Sequence, residues 1–483
     1  MGGIRILVIG LILGLGATGA AAQPDSLWSQ TYGGVGNEEC RAMVVTPYGG
    51  FALAGIVERA GQGNPNFLLI STDSIGDWYW EYISNDSDSN ICNSIVMAND
   101  GGFALAGMKT AASDSSSSFM IEKVDIEGNV AWSGSYYQGT VCNHIIQTQN
   151  LDYILVGCFL YGRHQSTSVV EVDSLGYVLG YERWNYDYPI ELTSIIQDTD
   201  GLFIYTGQIR LFPGHYEDYF TITKVRTFNQ FIWDRRYAVG VEGRCNAMLQ
   251  TEDGGFVMAG FGTVLNGEAA KFVVIKTDAD GDSLWSRFYG GFGRSECRSI
   301  VQTPDGGYAL AGTTNSFGAG GNDYWLLRIN ATGDSLWSCT FGGEGDDYCY
   351  SVAQTSDGGF ALAGYTNSFG AGGNDVWLVK TAPDPVSVND PSPLTPYTLL
   401  LEPPFPNPFN SSTTISYDIA RPGFVRLGVY DAGGRLVGTV KEGYAGAGKY
   451  SAVWNGGNVG SGTYFLNLEA GGETMVKPVV LVK

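Results

Sequence analysis

Short apolar runs of about five residues, separated by polar turns, recur along most of the chain. The clearest are Tyr308-Ala309-Leu310-Ala311-Gly312 and Phe360-Ala361-Leu362-Ala363-Gly364, each preceded by Asp-Gly-Gly. Large residues alternate with small ones in these runs, so both faces are apolar, as in a strand sandwiched between two other sheets. The closing glycines fall at Gly55, Gly107, Gly157, Gly207, Gly260, Gly312 and Gly364, at intervals of 50 to 53 residues, which marks seven units.

Each unit reads as four strands, a to d. In the sixth these are Ser299 to Thr303, Tyr308 to Gly312, Tyr324 to Ile329 and Leu336 to Phe341, with glycine supplying positive φ in the a–b turn. Evenly spaced short strands with one glycine and aromatic motif per unit predict an all-β chain whose residues 25–381 form a seven-bladed β-propeller. The ends agree with this. The region opens on a lone d strand, 26–32, and closes on a c strand, Val376 to Thr381, so the N-terminal strand completes the last blade. A tryptophan recurs in strand d at Trp28, Trp80, Trp132, Trp233, Trp285 and Trp337, a blade-to-blade anchor, and the third unit has Gly180 there. These repeats resemble the Asp-Gly-Gly-aromatic propeller repeats of bacterial secreted proteins.

Outside the repeats, Arg5, the apolar run Ile6 to Leu15 and the small residues ending Ala20-Ala21-Ala22 read as a secretory signal peptide over 1–22. The run is too short for a bilayer span, and no later segment is long and apolar enough, so no transmembrane segment is expected. Seven prolines within 382–404 mark an extended spacer. Residues 405–483 then alternate like a small immunoglobulin-like β-sandwich. Pro406-Asn407-Pro408-Phe409, Val429-Tyr430-Asp431 with Gly434-Arg435, Gly448-Lys449-Tyr450 with Val453-Trp454, and Ser461-Gly462-Thr463-Tyr464-Phe465 follow in order. This tail resembles the type A C-terminal sorting domain of type IX secretion cargo. The resemblance implies recognition by the secretion machinery, passage across the outer membrane, and a secreted or cell-surface protein.

Composition narrows the partners. With 27 Lys+Arg against 49 Asp+Glu the net charge is −22, which repels phosphate backbones and excludes nucleic acid. Much of the excess of 69 glycines belongs to turns and strand ends, and 44% apolar residues exclude disorder. Six of the 8 cysteines, Cys40, Cys92, Cys142, Cys245, Cys297 and Cys349, share one repeat position where the fourth unit has Leu192, so they read as a buried apolar slot. Cys142 and Cys158 face each other across one a–b hairpin and are the candidate disulfide, provided the register does not slip by one residue.

Candidate chemistry is sparse. Asp278-Ala279-Asp280-Gly281-Asp282 opens like a Ca²⁺ loop, but its twelfth position is Tyr289 and it aligns with the c–d turns of other units, so it reads as a turn and no cofactor is assigned. His144, His164 and His215 are the only histidines, with no metal-ligand spacing and no nucleophile motif. The repeat fails once, between the third and fourth blades. There Trp184, Tyr186, Asp187, Tyr188 and Glu191 replace the usual d–a loop, and His215, Tyr216, Glu217 and Asp218 extend the next b–c loop. Aromatic rings stack on sugar C–H faces while carboxylates accept hydroxyl hydrogen bonds, so these residues are the candidate glycan site; the competing reading is that the rings fill the space left at Gly180. Thr314 to Asp323 and Thr366 to Asp375 are identical and read as duplicated structural loops. The chain is therefore expected to be a noncatalytic binding or scaffold propeller. The alternative is a polysaccharide-active enzyme, hydrolase or lyase, using Asp187, Glu191, Glu217 or Asp218.

Overall fold

The computed structural model describes the chain except residues 1–24, 60–63, 85–87, 114–115, 162–163, 185–189, 211–217, 228–229, 264–268, 386–398, 420–422, 446–447, 458 and 471–472. Every regular element among the described residues is a strand. Among the described residues no helix is long and apolar enough to cross a membrane, and the expected signal peptide lies outside them. The chain divides into two compact units, the first holding most of the residues before the proline-rich segment and the second the residues after it.

The first unit is the expected propeller. Six antiparallel four-stranded sheets run a–b–c–d in chain order: blades 1 to 6 span residues 37–83, 89–138, 140–184, 190–238, 243–289 and 295–341. Blade 7 takes strands a to c from 347–381 and its d strand from Ser26–Tyr32. Trp28 lies opposite Lys380 in that pairing, as Trp337 lies opposite Arg328 in blade 6, so the borrowed strand keeps the repeat register.

Strand a is longer than its apolar pattern implies. In blade 6 it runs Ser295–Gln302 and includes Cys297, with a bulge between Cys297 and Ser299. The same bulge follows the periodic cysteine, or Leu192, in blades 2 to 7. It explains the glycine ladder. A Cβ on any of the seven closing glycines would stand 1.8 to 2.0 Å from the carbonyl oxygen of the residue before the cysteine position. The bulge also corrects the disulfide expectation. Cys142 pairs with Gly157 and Cys158 with Val141, so the two side chains leave opposite faces of the hairpin, and all eight cysteines are buried free thiols.

In four blades the a–b turn is tied to strand c by a cation at an equivalent place, Lys123 to Asp100, Lys276 to Asp253, Lys380 to Asp357 and Arg328 to Asp305. The third a–b turn instead carries Leu151 at φ 72°, where other blades use glycine.

The second unit is a sandwich of a three-stranded sheet, Leu400–Leu401, Ser412–Ile419 and Gly448–Asn455, and a four-stranded sheet, ordered Leu436–Ala445, Gly423–Tyr430, Gly462–Ala470, Glu473–Leu481. Its core includes Phe409, Leu427, Trp454 and Leu466. It begins before residue 405, since Leu400 and Leu401 pair with Asp418 and Tyr417.

Candidate functional site

Six blades place a tryptophan third in strand d, and each ring meets the aromatic that opens strand b of the next blade at 6.1 to 6.4 Å. The following c–d turn closes over it. A Cβ on Gly128, Gly176, Gly281 or Gly333 would come within 3.0 Å of Trp80, Trp132, Trp233 or Trp285 respectively. Blade 3 has Gly180 in place of the tryptophan, and the c–d turn of blade 4, Arg226 to Gln230, has no glycine. Both members of the packing pair are missing together.

Trp184 lies four residues beyond Gly180 on the same face, opposite Thr167. That slot holds Tyr136, Tyr237 and Tyr289 in other blades, opposite Phe119, Phe220 and Phe272. Those tyrosines donate their hydroxyls to the turn carbonyls of Gly176, Gly281 and Gly333. Trp184 therefore occupies a regular aromatic slot, and it packs on Tyr205 at 5.6 Å and Phe231 at 5.3 Å. Its indole Nε1 and the Tyr205 hydroxyl are buried with no hydrogen-bond partner. Tyr205 is 1% exposed, and burial, with the charge of Glu171, pushes its phenol pKa up, so it stays a donor.

A crevice of about 320 Å³ opens between blades 3 and 4, lined by Trp184, Tyr205, Thr221, Thr223, Asp234 and Arg236 among others. Thr221 and Thr223 stand three and one residues before the strand-c cation Lys224, where blades 5, 6 and 7 have Val273 and Ile275, Trp325 and Leu327, and Trp377 and Val379. The two threonines make this wall polar where blades 5, 6 and 7 are apolar.

Of the nine residues expected at the site, Tyr186, Asp187, Tyr188, His215, Tyr216 and Glu217 lie outside the described residues. The other three do not converge. Glu191 projects from the opposite side of its strand to Ile190 and Leu192, and accepts from Asn143 at 3.1 Å, Gln208 at 2.8 Å and Arg244 at 2.8 Å. Asp218 is buried and accepts the backbone N–H of Gly243 at 3.1 Å, joining blades 4 and 5. Asp278 folds as a turn whose carboxylate accepts the N–H groups of Asp280 and Asp282, as Asp125 does for Glu127 and Asn129.

A second polar surface was not anticipated. The residues flanking the periodic cysteine on the innermost strands are Glu39 and Arg41 in blade 1, Glu296 and Arg298 in blade 6, and Tyr348 and Tyr350 in blade 7. Tyr365 stacks on Tyr348 at 5.1 Å and Tyr350 at 6.1 Å, and Arg298 lies 5.5 Å over Tyr350. The duplicated loops support this surface: Asn322 donates to the Tyr348 hydroxyl at 2.9 Å and Asn374 to Glu39 at 3.2 Å. The 50-residue period would have located these positions, because they sit one residue either side of a cysteine already in register.

A propeller with a polar crevice between blades 3 and 4, followed by a β-sandwich, is thus the class of protein. Residues 404–483 match the family described as Secretion system C-terminal sorting domain, so the sandwich is a type IX sorting domain that sends the chain to the cell surface or the extracellular space. No curated protein matches the chain. Among solved structures, it is similar to a protein of unknown function from Bacteroides caccae at 14% identity and TM-score 0.37, covering 60% of this chain and 93% of that one. PorZ, a surface component of the type IX secretion system of Porphyromonas gingivalis, aligns at 12% identity and TM-score 0.43, covering 91% and 60%. The polysaccharide lyase Uly1 aligns at 9% and 0.46, covering 71% and 90%.

Proposed function

We propose that the propeller is a noncatalytic binding module, delivered outside the cell by its sorting domain, and that its ligand is a glycan. The observation that carries this reading is the crevice between blades 3 and 4. It places an indole, a phenol, three threonine hydroxyls, a carboxylate and a guanidinium around a volume suited to a small polar ligand, with two buried donors left unpartnered. Aromatic faces and mixed donors and acceptors are what a pyranose ring requires. The expected loop residues Tyr186, Asp187, Tyr188, His215, Tyr216 and Glu217 flank this crevice in sequence and are assigned to the same site. The binding reading is favoured over the enzymatic one because Glu191 and Asp218, two of the four proposed catalytic carboxylates, are already engaged.

The test is a glycan array probed with the mature chain. Binding should be lost in Trp184→Ala and Tyr216→Ala and weakened in Thr223→Val, each checked for an unchanged melting temperature. Retained binding in all three removes the site, and silence across the array removes the ligand class. Release of shortened sugars from a bound polysaccharide would replace binding with catalysis.

A further inference from the structure

The crevice between blades 3 and 4 is graded from a neutral floor to a charged mouth. Its buried end is formed by Thr167, Ile190, Leu192, Tyr205, Ile209 and Thr221, none more than 8% exposed. The two charged residues of the lining, Asp234 and Arg236, are exposed and pair with each other at 3.5 Å, beside the exposed Phe231 and Ile232. Whatever part of a ligand reaches the floor therefore meets aliphatic surface and neutral hydrogen-bonding groups only.

The floor also carries a hydroxyl that the repeat does not call for. Tyr205 is the third residue of strand b, where the other six blades have Leu53, Leu105, Leu155, Met258, Leu310 and Leu362. Its hydroxyl and the Trp184 indole Nε1 are buried with no hydrogen-bond partner, and the two rings meet edge to face at 5.6 Å, on one wall of the crevice. In the slot that Trp184 fills, Tyr136, Tyr237 and Tyr289 find a turn carbonyl for their donors, and Trp184 does not. Leaving a buried donor unpaired is costly, so each is a place where a ligand acceptor gains a bond that the protein itself does not make.

We propose that this buried end receives the acetamido group of an N-acetylated sugar, an inference that rests on the glycan reading and narrows it. A carbonyl oxygen carries two lone pairs and accepts from both the Trp184 Nε1–H and the Tyr205 hydroxyl. The methyl lies on Ile190, Leu192 and Ile209. The amide N–H donates to a threonine hydroxyl, and Thr167, whose own proton goes to the Ile190 carbonyl at 3.4 Å, keeps lone pairs to accept it. The pyranose ring is left toward Phe231 and the Asp234–Arg236 pair at the mouth. A carboxylate or sulfate on the floor is desolvated with no charge beside it, an ammonium meets donors, and a bare hydroxyl leaves the aliphatic wall unfilled.

The mature full-length chain is titrated, by calorimetry and ligand-observed NMR, with the methyl glycosides of N-acetylglucosamine and N-acetylgalactosamine and with the matching 2-amino and 2-hydroxy sugars. At least one N-acetylated glycoside should bind about tenfold tighter than both of its counterparts. Tyr205→Phe keeps the ring and should weaken that binding about tenfold, with the melting temperature unchanged or raised, because no protein group loses a partner. Equal binding of the 2-amino or 2-hydroxy sugar, unchanged affinity in Tyr205→Phe, or a lowered melting temperature in that variant overturns the proposal. Array binding confined to sugars without an acetamido group also overturns it and leaves the glycan reading standing, whereas silence across the array removes both.

Discussion

Asp384 stands in for a turn that blade 7 does not have. Because the d strand of blade 7 comes from the N-terminus, no c–d turn follows strand c there, and nothing in the repeat closes over Trp337. The chain instead continues through Ala382 and Pro383 and inserts Asp384, whose Oδ1 accepts the Trp337 indole N–H at 3.1 Å and whose Oδ2 accepts Arg328 Nε at 2.7 Å. In blade 2 the corresponding indole, Trp132, donates to the Ser174 carbonyl of the next turn. Arg328 and Asp384 are both 0% exposed. Asp384→Ala leaves a buried guanidinium with Asp305 and the Tyr308 and Ile329 carbonyls as its remaining partners, and strands an indole N–H. Breaking a buried pair costs about 3 to 5 kcal/mol, and the surviving Asp305 contact sets the lower end, about 3 kcal/mol. Over a unit of roughly 360 residues, at about 2.1 cal/mol/K per residue, that lowers the propeller melting temperature by about 4 °C. Scanning calorimetry of the mature chain reads it, with the sandwich transition as internal control. Asp384→Asn, which keeps shape and one acceptor, should fall between. A melting temperature within 1 °C of wild type for the alanine variant, about 0.8 kcal/mol or less, would refute the view that this residue closes the ring.

Two further outcomes follow from groups removed from water. His144 is half-buried, its Nδ1 accepting the Ile195 N–H at 3.4 Å, and desolvation lowers its pKa from 6.5 to about 4. A depressed folded pKa makes its contribution complete above pH 6.5 and lost as the pH falls toward 4, at no more than about 1.4 kcal/mol per pH unit. Ser94 makes the equivalent bond to the Ile145 N–H in blade 2 at 3.3 Å, so His144→Ser should retain the acceptor and flatten the pH dependence of melting between pH 6.5 and 4; an unchanged pH profile would assign that dependence elsewhere. All eight thiols are buried, with burial raising Cys158 to about 12 and Cys142 further, so thiol reagent should titrate none in the native protein and eight after denaturation. A native mass two daltons short of the reduced one would reinstate a disulfide.

The architecture was legible in the sequence because a propeller is a local repeat. The glycine ladder, the strand-d tryptophans and the order of strands at the two ends each reflect contacts within one blade or with its neighbour, so they recur at a fixed interval. The sorting domain was legible for a different reason, a set of short motifs in order. The candidate site was only half legible. The lapse at Gly180 was visible as a missing letter, yet Trp184 was grouped with the loop insertion when it fills the same slot as Tyr136 and Tyr237. Its assignment needed the pairing with Thr167, which no spacing in blade 3 alone reveals.

What the sequence by itself determined is the number of blades, the closure by the N-terminal strand and the sorting address, all carried by periodicity or by contiguous motifs. What only the tertiary structure decided is register and adjacency. A single-residue bulge opposite Gly157 turns Cys142 and Cys158 to opposite faces, and a side-chain period of two makes that shift all or nothing. Likewise Asp384 reaches Arg328 and Trp337 across separations of 56 and 47 residues. Such meetings depend on how the ring closes, which no local pattern encodes.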